Sequence, residues 1–281
     1  MIVARTRAAL RDARAKLGTV GLVPTMGFLH EGHLSLVRRA RDENKAVVVS
    51  IFVNPTQFGP NEDLSRYPRD LDRDLAMLRE AGVAVAFVPD ASEIYPEGFG
   101  TRIEVGDIAL PLEGAVRPGH FSGVATVVCK LINLVAPERV YFGQKDAQQC
   151  AVLRRMILDL DLPVRMVVAP TVREADGLAL SSRNSYLDAA ARVRAAALHR
   201  ALRAAEDAFL AGERRADRLR ARMEAVLAGS GHDGIDYLSV ADPDTLRELE
   251  AIEHDALLSL AVRFGATRLI DNLVLDRLSG A

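Results

Sequence analysis

Residues Ala46-Val47-Val48-Val49-Ser50-Ile51-Phe52-Val53 form a continuous, largely β-branched run. A strand with one face in water alternates polar and apolar residues. A continuous run means burial on both faces, as in a parallel sheet covered by helices. The flanking sequence supplies the partners that such a strand needs. Val20–Val23 reads as a short buried strand. Leu36, Val37 and Ala40 recur at helical spacing and predict a helix from near Gly32 to about Asn44. A second helix is predicted from about Arg69 to Ala81, with Leu71, Leu75 and Leu78 on one face and Gly82 as its stop. A strand over Val83–Val88 follows. The order β-α-β-α-β with right-handed crossovers predicts an α/β fold, a Rossmann-like doubly wound parallel sheet. Ligands of such sheets lie beyond the carboxyl ends of the strands.

The remaining chain adds to both ends of this unit. Residues 5–17 predict a surface helix. The segment 90–120 is irregular and rich in Gly and Pro. Ser122 is expected to cap a helix whose face is Val124, Val127, Val128, Leu131 and Val135. Strand Arg139–Phe142, the turn Gly143–Asp146 and helix Ala147–Asp159 make a second strand–turn–helix, followed by strand Val164–Ala169. Residues 188–229 predict two helices with solvated charged faces, broken near Gly212, the first capped by Asp188. Strands are predicted at 235–240, 256–263 and 266–275. Alternation in Leu258-Ser259-Leu260-Ala261-Val262 predicts a half-exposed antiparallel sheet. The expected organisation is a Rossmann-like domain over 1–176 and a smaller α+β C-terminal domain over 177–281.

Composition narrows the function classes. The 281 residues are 49% apolar with a formal net charge of -2, and charges of both signs are interspersed. That balance lacks the basic footprint of nucleic-acid binding. No apolar run approaches the ~18–20 residues of a membrane span. The N-terminal residues lack the apolar core of a signal peptide. Cys129 and Cys150 are the two cysteines, both in apolar helical contexts. They are expected as small buried residues in a reducing, cytoplasmic setting.

The chemistry gathers at Pro24-Thr25-Met26-Gly27-Phe28-Leu29-His30-Glu31-Gly32-His33. This turn follows a strand and opens a helix, so backbone N–H groups at the helix N-terminus face a bound anion. His30 and His33 can point at the same anion. Alternatives at this point are a helix cap, a surface histidine or a zinc site. The zinc reading is the weakest, because the pair lacks i, i+4 spacing and no cysteine cluster accompanies it. Loops expected at the same sheet edge carry His30, His33, Asn54, Gln57, Lys145, Asp146, Gln149, Ser181, Ser182 and Arg183. Cations and neutral amides dominate this set. It suits a polyphosphate neutralised by cations beside a small polar substrate held by amides, with catalysis by positioning and charge stabilisation.

Several ordered segments carry a resemblance to a known family. They are Pro24–His33, Phe52-Val53-Asn54-Pro55-Thr56-Gln57-Phe58, Tyr67-Pro68-Arg69 and Arg117-Pro118-Gly119-His120-Phe121. Further along stand Phe142-Gly143-Gln144-Lys145-Asp146-Ala147-Gln148-Gln149, Val172-Arg173-Glu174 and Gly177–Asn184. Over nearly the whole length the chain resembles the pantothenate synthetase (pantoate–β-alanine ligase) family of the His-x-Gly-His nucleotidyltransferase superfamily. The resemblance implies an ATP-dependent ligase. ATP and pantoate would give pantoyl adenylate and pyrophosphate, and β-alanine would then displace AMP to form pantothenate.

It also implies residue roles. Met26, Gly27, Phe28, Leu29, His30, Glu31, Gly32 and His33 would border ATP, with His33 in the position usually called the general acid; His30 and His33 would stabilise phosphate charge by hydrogen bonding, with proton donation to pyrophosphate as the secondary role. Gly143, Gln144, Lys145 and Asp146 would contact the nucleotide, Lys145 on phosphate and Asp146 on ribose. Val172 would meet adenine. Leu180, Ser181, Ser182 and Arg183 would close over the phosphates. Gln57 and Gln149 would hold pantoate, with Asn54 alongside. Mg²⁺ would come with ATP through phosphate oxygens and water, without a dedicated protein metal site. A homodimer is implied. Leu180 stands where Met is common, and Gln144 where Glu is common. The segment 59–68 is expected to act as a lid. Two other functions share parts of this pattern: a nucleotidylyltransferase that keeps the nucleotide in its product, and a nucleotide-sensing module without turnover.

Overall fold

The computed structural model describes residues 1–60 and 62–276. Asn61, inside the expected lid, and residues 277–281 lie outside the described residues. The chain divides into two compact units, residues 1–144 with 152–170, and residues 145–151 with 171–281.

The first unit contains β1 (Ile2–Ala4), α1 (Arg7–Arg14), β2 (Val20–Thr25), α2 (Glu31–Glu43), β3 (Ala46–Ile51), α3 (Leu71–Glu80) and β4 (Val85–Phe87). Two short helices follow, α4 (Ala91–Ile94) and α5 (Glu113–Val116), then α6 (His120–Val135), β5 (Arg139–Gly143) and, after α7 (Ala147–Asp159), β6 (Arg165–Ala169). The six strands are parallel in the order β1-β4-β3-β2-β5-β6. The order runs outward from β2 in both directions, so the switch point lies between β2 and β5. Val47, Val48 and Val49 are fully buried, as the continuous run of β3 requires. Leu36, Val37, Ala40, Leu75 and Leu78 pack in one core cluster with Val23, Val47 and Ile51 of the sheet.

The second unit contains α8 (Ala189–Ala195), α9 (Ala197–Leu210), α10 (Ala216–Ala228) and an antiparallel sheet in the order β7-β8-β9. These strands are β7 (Gly234–Ala241), β8 (Ala256–Phe264) and β9 (Thr267–Leu275). Leu198, Leu202, Phe209, Leu219, Met223 and Leu227 of the helices form one core with Leu258, Leu260 and Val262 of β8. No helix among the described residues is long and apolar enough to cross a membrane.

The structure corrects several expectations. β1 is an addition, because three residues are too few to establish a period; it gains its place by pairing with β4 at the sheet edge. Ser122 does not cap α6. The helix begins at His120 behind Gly119, whose φ of +81° is open to glycine, so Ser122 falls inside the first turn. The 188–229 region holds three helices, with an additional break at Ala196; Asp188 does cap the first, accepting from the Ala191 N–H. β8 is the central strand and is buried on both faces, Ser259 included, so the alternation there does not mark a wet face. Cys150 is buried, but Cys129 is only half-buried.

Candidate active site

The loop after β2 is held from beneath by α3. Its backbone turns through left-handed conformations at Gly27 (φ 83°) and Phe28 (φ 51°). A side chain at Gly27 would press within 3.0 Å of Ile51 and 3.1 Å of an Asp74 oxygen, so glycine is required twice over. The Asp74 carboxylate, 1% exposed, accepts from the Phe28 N–H and the Leu29 N–H, each at 2.7 Å. Burial pushes this carboxyl above its ordinary range despite those two bonds. Arg73 donates to the Leu29 carbonyl at 3.1 Å and lies 5.4 Å from the Phe28 ring centroid. Asp74 and Arg73 therefore fix the loop that leads into α2.

His30 stands at the N-cap of α2 in extended conformation, and His33 is in its first turn. The two ring centroids are 4.1 Å apart. The His33 Nδ1 accepts from the His30 backbone N–H at 3.3 Å. An accepting Nδ1 places the proton of neutral His33 on Nε2, making that edge the donor. The arrangement thus combines a helix N-terminus with an imidazole N–H, both suited to anionic oxygen.

Asn54 and Gln57 lie just beyond β3, and Asn54 is the hub. Its Oδ1 accepts from the Thr56 N–H (3.3 Å), the Thr56 hydroxyl (2.9 Å) and the Tyr95 hydroxyl (2.8 Å). Its Nδ2 donates to Gln57 Oε1 (3.0 Å) and to the Gly123 carbonyl (3.1 Å). Both amide hydrogens are therefore committed within the protein. Gln57 Oε1 takes one bond from Asn54, and Nε2, 3.1 Å from Met26 Sδ, a weak acceptor, keeps a hydrogen to donate elsewhere. The close approach of α6 depends on Gly123, where a Cβ would fall 2.4 Å from the Thr56 carbonyl oxygen.

A half-buried histidine supports the same loop. His120 bonds the Gln57 carbonyl through Nδ1 (2.9 Å) and Arg117 through Nε2 (3.1 Å). A guanidinium can only donate, so Nε2 accepts and the Nδ1–H donates. Burial, reinforced by the Arg117 charge, depresses His120 to about 4. Arg117 also holds Glu62 bidentately at 2.9 and 2.6 Å. Burial of Glu62 opposes its ionisation, but the Arg117 bonds outweigh it and hold the carboxyl below the ordinary range.

Gly143 and Gln144 lie at the end of β5, next to β2 in the sheet. The other expected residues belong to the second unit. Lys145 and Asp146 share a 3-10 turn, their charged groups 3.4 Å apart, and Gln149 follows in the first turn of α7. Val172 to Leu180 doubles back on itself, with the Leu180 N–H donating to the Val172 carbonyl and the Glu174 N–H to that of Leu178. Arg173 anchors this hairpin. It binds Asp271 bidentately at 2.6 and 3.0 Å and donates to the Gly177 carbonyl at 3.0 Å. Ser181 caps the following 3-10 turn, its hydroxyl accepting from the Arg183 N–H at 3.3 Å. Ser182 begins that turn and is buried.

The first unit thus gathers Met26–His33 with Asn54 and Gln57, and the second gathers Lys145, Asp146 and Gln149 with the 172–183 hairpin. Residue type alone does not reveal the supports: Arg73, Asp74, Tyr95, Gly123, Arg117, His120 and Asp271. Asp74 carries a visible signal, since an acid at i+3 from Leu71 interrupts the apolar stripe completed by Leu75 and Leu78, and Arg117 and His120 stand in a segment that carries the resemblance, which gave them no role.

A parallel sheet with a His-x-Gly-His strand-to-helix turn at its switch point defines an α/β nucleotide-binding class of protein. The family model described as pantoate-beta-alanine ligase matches residues 2–274. A pantothenate synthetase from Roseiflexus sp. (strain RS-1) is 65% identical over 277 residues, spanning 98% of this chain and all of the relative. The crystal structure of pantothenate synthetase from Thermus thermophilus superposes with a TM-score of 0.93 at 52% identity, covering 97% of this chain and 99% of that one. A pantoate-beta-alanine ligase from Francisella tularensis, complexed with beta-gamma ATP and beta-alanine, superposes at 0.81 with 36% identity, covering 98% and 97%. The chain belongs to the pantoate–β-alanine ligase family.

Proposed function

We propose that this chain condenses pantoate with β-alanine in two steps. In the first, a pantoate carboxylate oxygen attacks the α-phosphorus of ATP. The new O–P bond forms as the bond to pyrophosphate breaks, giving pantoyl adenylate. In the second, the β-alanine amine attacks the acyl carbon, a C–N bond replaces the bond to AMP, and the nitrogen gives up its proton. Full-length membership of the ligase family carries this reading.

The local geometry supports a division of labour. Met26 to His33 border ATP, and the His33 Nε2–H and the α2 N-terminus stabilise phosphate charge. Gly143, Gln144, Lys145 and Asp146 bind the nucleotide, Val172 meets the adenine, and Leu180 to Arg183 donate to the phosphates. Gln57 gives an Nε2 hydrogen to pantoate, Gln149 acts with it, and Asn54 sets the orientation of Gln57. Mg²⁺ enters with ATP as part of the substrate. Among the described residues no group of three or more His, Cys, Asp or Glu side chains could hold a metal.

Exchange of labelled pyrophosphate into ATP tests the first step. It should require pantoate, proceed without β-alanine, and fall about 100-fold in His33→Ala while ATP affinity changes little. Exchange independent of pantoate would refute the reading, and unchanged exchange in His33→Ala would remove His33 from the step.

A further inference from the structure

The structure of the second unit joins Lys145 to a residue far along the chain. Asn272, buried in β9, donates its Nδ2–H to the Lys145 backbone carbonyl at 2.8 Å. The neighbouring Asp271, also buried, takes the bidentate grip of Arg173 described above, and the Asn272 carbonyl accepts from Arg173 at 3.3 Å. Successive residues of a strand point to opposite faces, so two adjacent side chains reach two different segments. One holds the lysine turn and the other holds the base of the 172–183 hairpin. The 3-10 turn that begins at Ser182 packs against the same strand.

We infer that Asn272 is a positioning residue for adenylate formation, acting through Lys145, and that Asp271–Asn272 of β9 is the common anchor of both phosphate-facing segments. The inference rests on the reading that Lys145 meets the phosphates of ATP. A lysine on a four-carbon stem locates charge only as well as its backbone is located. Lys145 lies in a three-residue turn between β5 and α7, and Asn272 ties that turn's carbonyl to a sheet rather than to solvent. Loss of the bond lets the ammonium wander from the phosphates, and small displacements in a reacting complex carry large rate penalties.

A double-mutant cycle tests this with pantoate-dependent pyrophosphate–ATP exchange. The parent, Asn272→Ala, Lys145→Ala and the double variant are compared in kcat/KM for ATP. Asn272→Ala should cost about tenfold when Lys145 is present and less than twofold when Lys145 is alanine, because groups acting through one another are non-additive. Equal losses in both backgrounds would overturn the inference and leave Asn272 a packing residue. Asn272→Asp keeps the size but sets an acceptor against the Lys145 carbonyl. It should be impaired at least as much as Asn272→Ala, and full activity would overturn the inference even if the alanine variant fails to fold. Exchange by the parent without pantoate would instead refute the ligase reading beneath it.

Discussion

Replacing Asp74 by Asn should loosen the first loop out of proportion to so small a change. The carboxylate accepts two backbone N–H bonds at 2.7 Å, from Phe28 and Leu29, across two residues that include a left-handed Phe28. Hydrogen bonds to a charged group contribute about 1.5–3 kcal/mol each. An asparagine keeps one acceptor oxygen, now neutral, and turns an NH₂ towards the other N–H. One bond weakens and the other becomes a donor facing a donor, which leaves a partly or fully buried N–H unsatisfied at about 1–3 kcal/mol. Against this, the neutral amide escapes the desolvation that raises the Asp74 pKa. The net cost is about 2–3 kcal/mol, or a fall of roughly 5–10 °C in Tm. Thermal unfolding by circular dichroism measures the first quantity. Pyrophosphate exchange measures the second effect, a rate loss of about tenfold or more from displacement of His30 and His33. A variant that melts within about 1 °C of the parent with unchanged exchange would refute the claim that Asp74 holds the loop.

Two further perturbations probe the support beneath Gln57. Tyr95→Phe removes one of three donors to Asn54 Oδ1; it should raise KM for pantoate about three- to tenfold with little loss of stability, and an unchanged KM would show that Tyr95 does not act through Asn54 and Gln57. His120 binds its proton at about 4 in the folded chain against 6.5 ordinarily. The unfolded chain therefore takes up that proton first as pH falls, and stability is lost between about 6.5 and about 4, by at most roughly 3 kcal/mol. His120→Asn, which keeps a donor for the Gln57 carbonyl, should flatten that part of the urea-unfolding stability profile; an identical slope would contradict the assignment of a neutral, half-buried His120.

The parallel sheet was legible because burial on both faces leaves a direct mark, the unbroken run of β3. The His30–His33 turn was legible because a strand, glycines and a helix stand in fixed order around it. The residues that hold those groups in place were not. Tyr95, Arg117 and His120 come from an irregular stretch without periodicity, and they act on Asn54, Gln57 and Glu62 across separations that no local pattern encodes. Asp271 pairs with Arg173 over 98 residues in the same way. The alternation in β8 misled for a different reason. Small residues such as Ser259 and Ala261 pack under helices and loops as readily as they face water, so period two alone does not identify an exposed face.

In the proposed reaction the chain first activates pantoate with ATP and then passes the acyl group to an amine. The most direct test follows AMP and amide product together while each substrate is withheld in turn. One AMP and one pyrophosphate should appear for each pantothenate formed, with sustained AMP release only when ATP, pantoate and β-alanine are all present. A product that retains the nucleotide, or AMP release at the full rate without β-alanine, would contradict it.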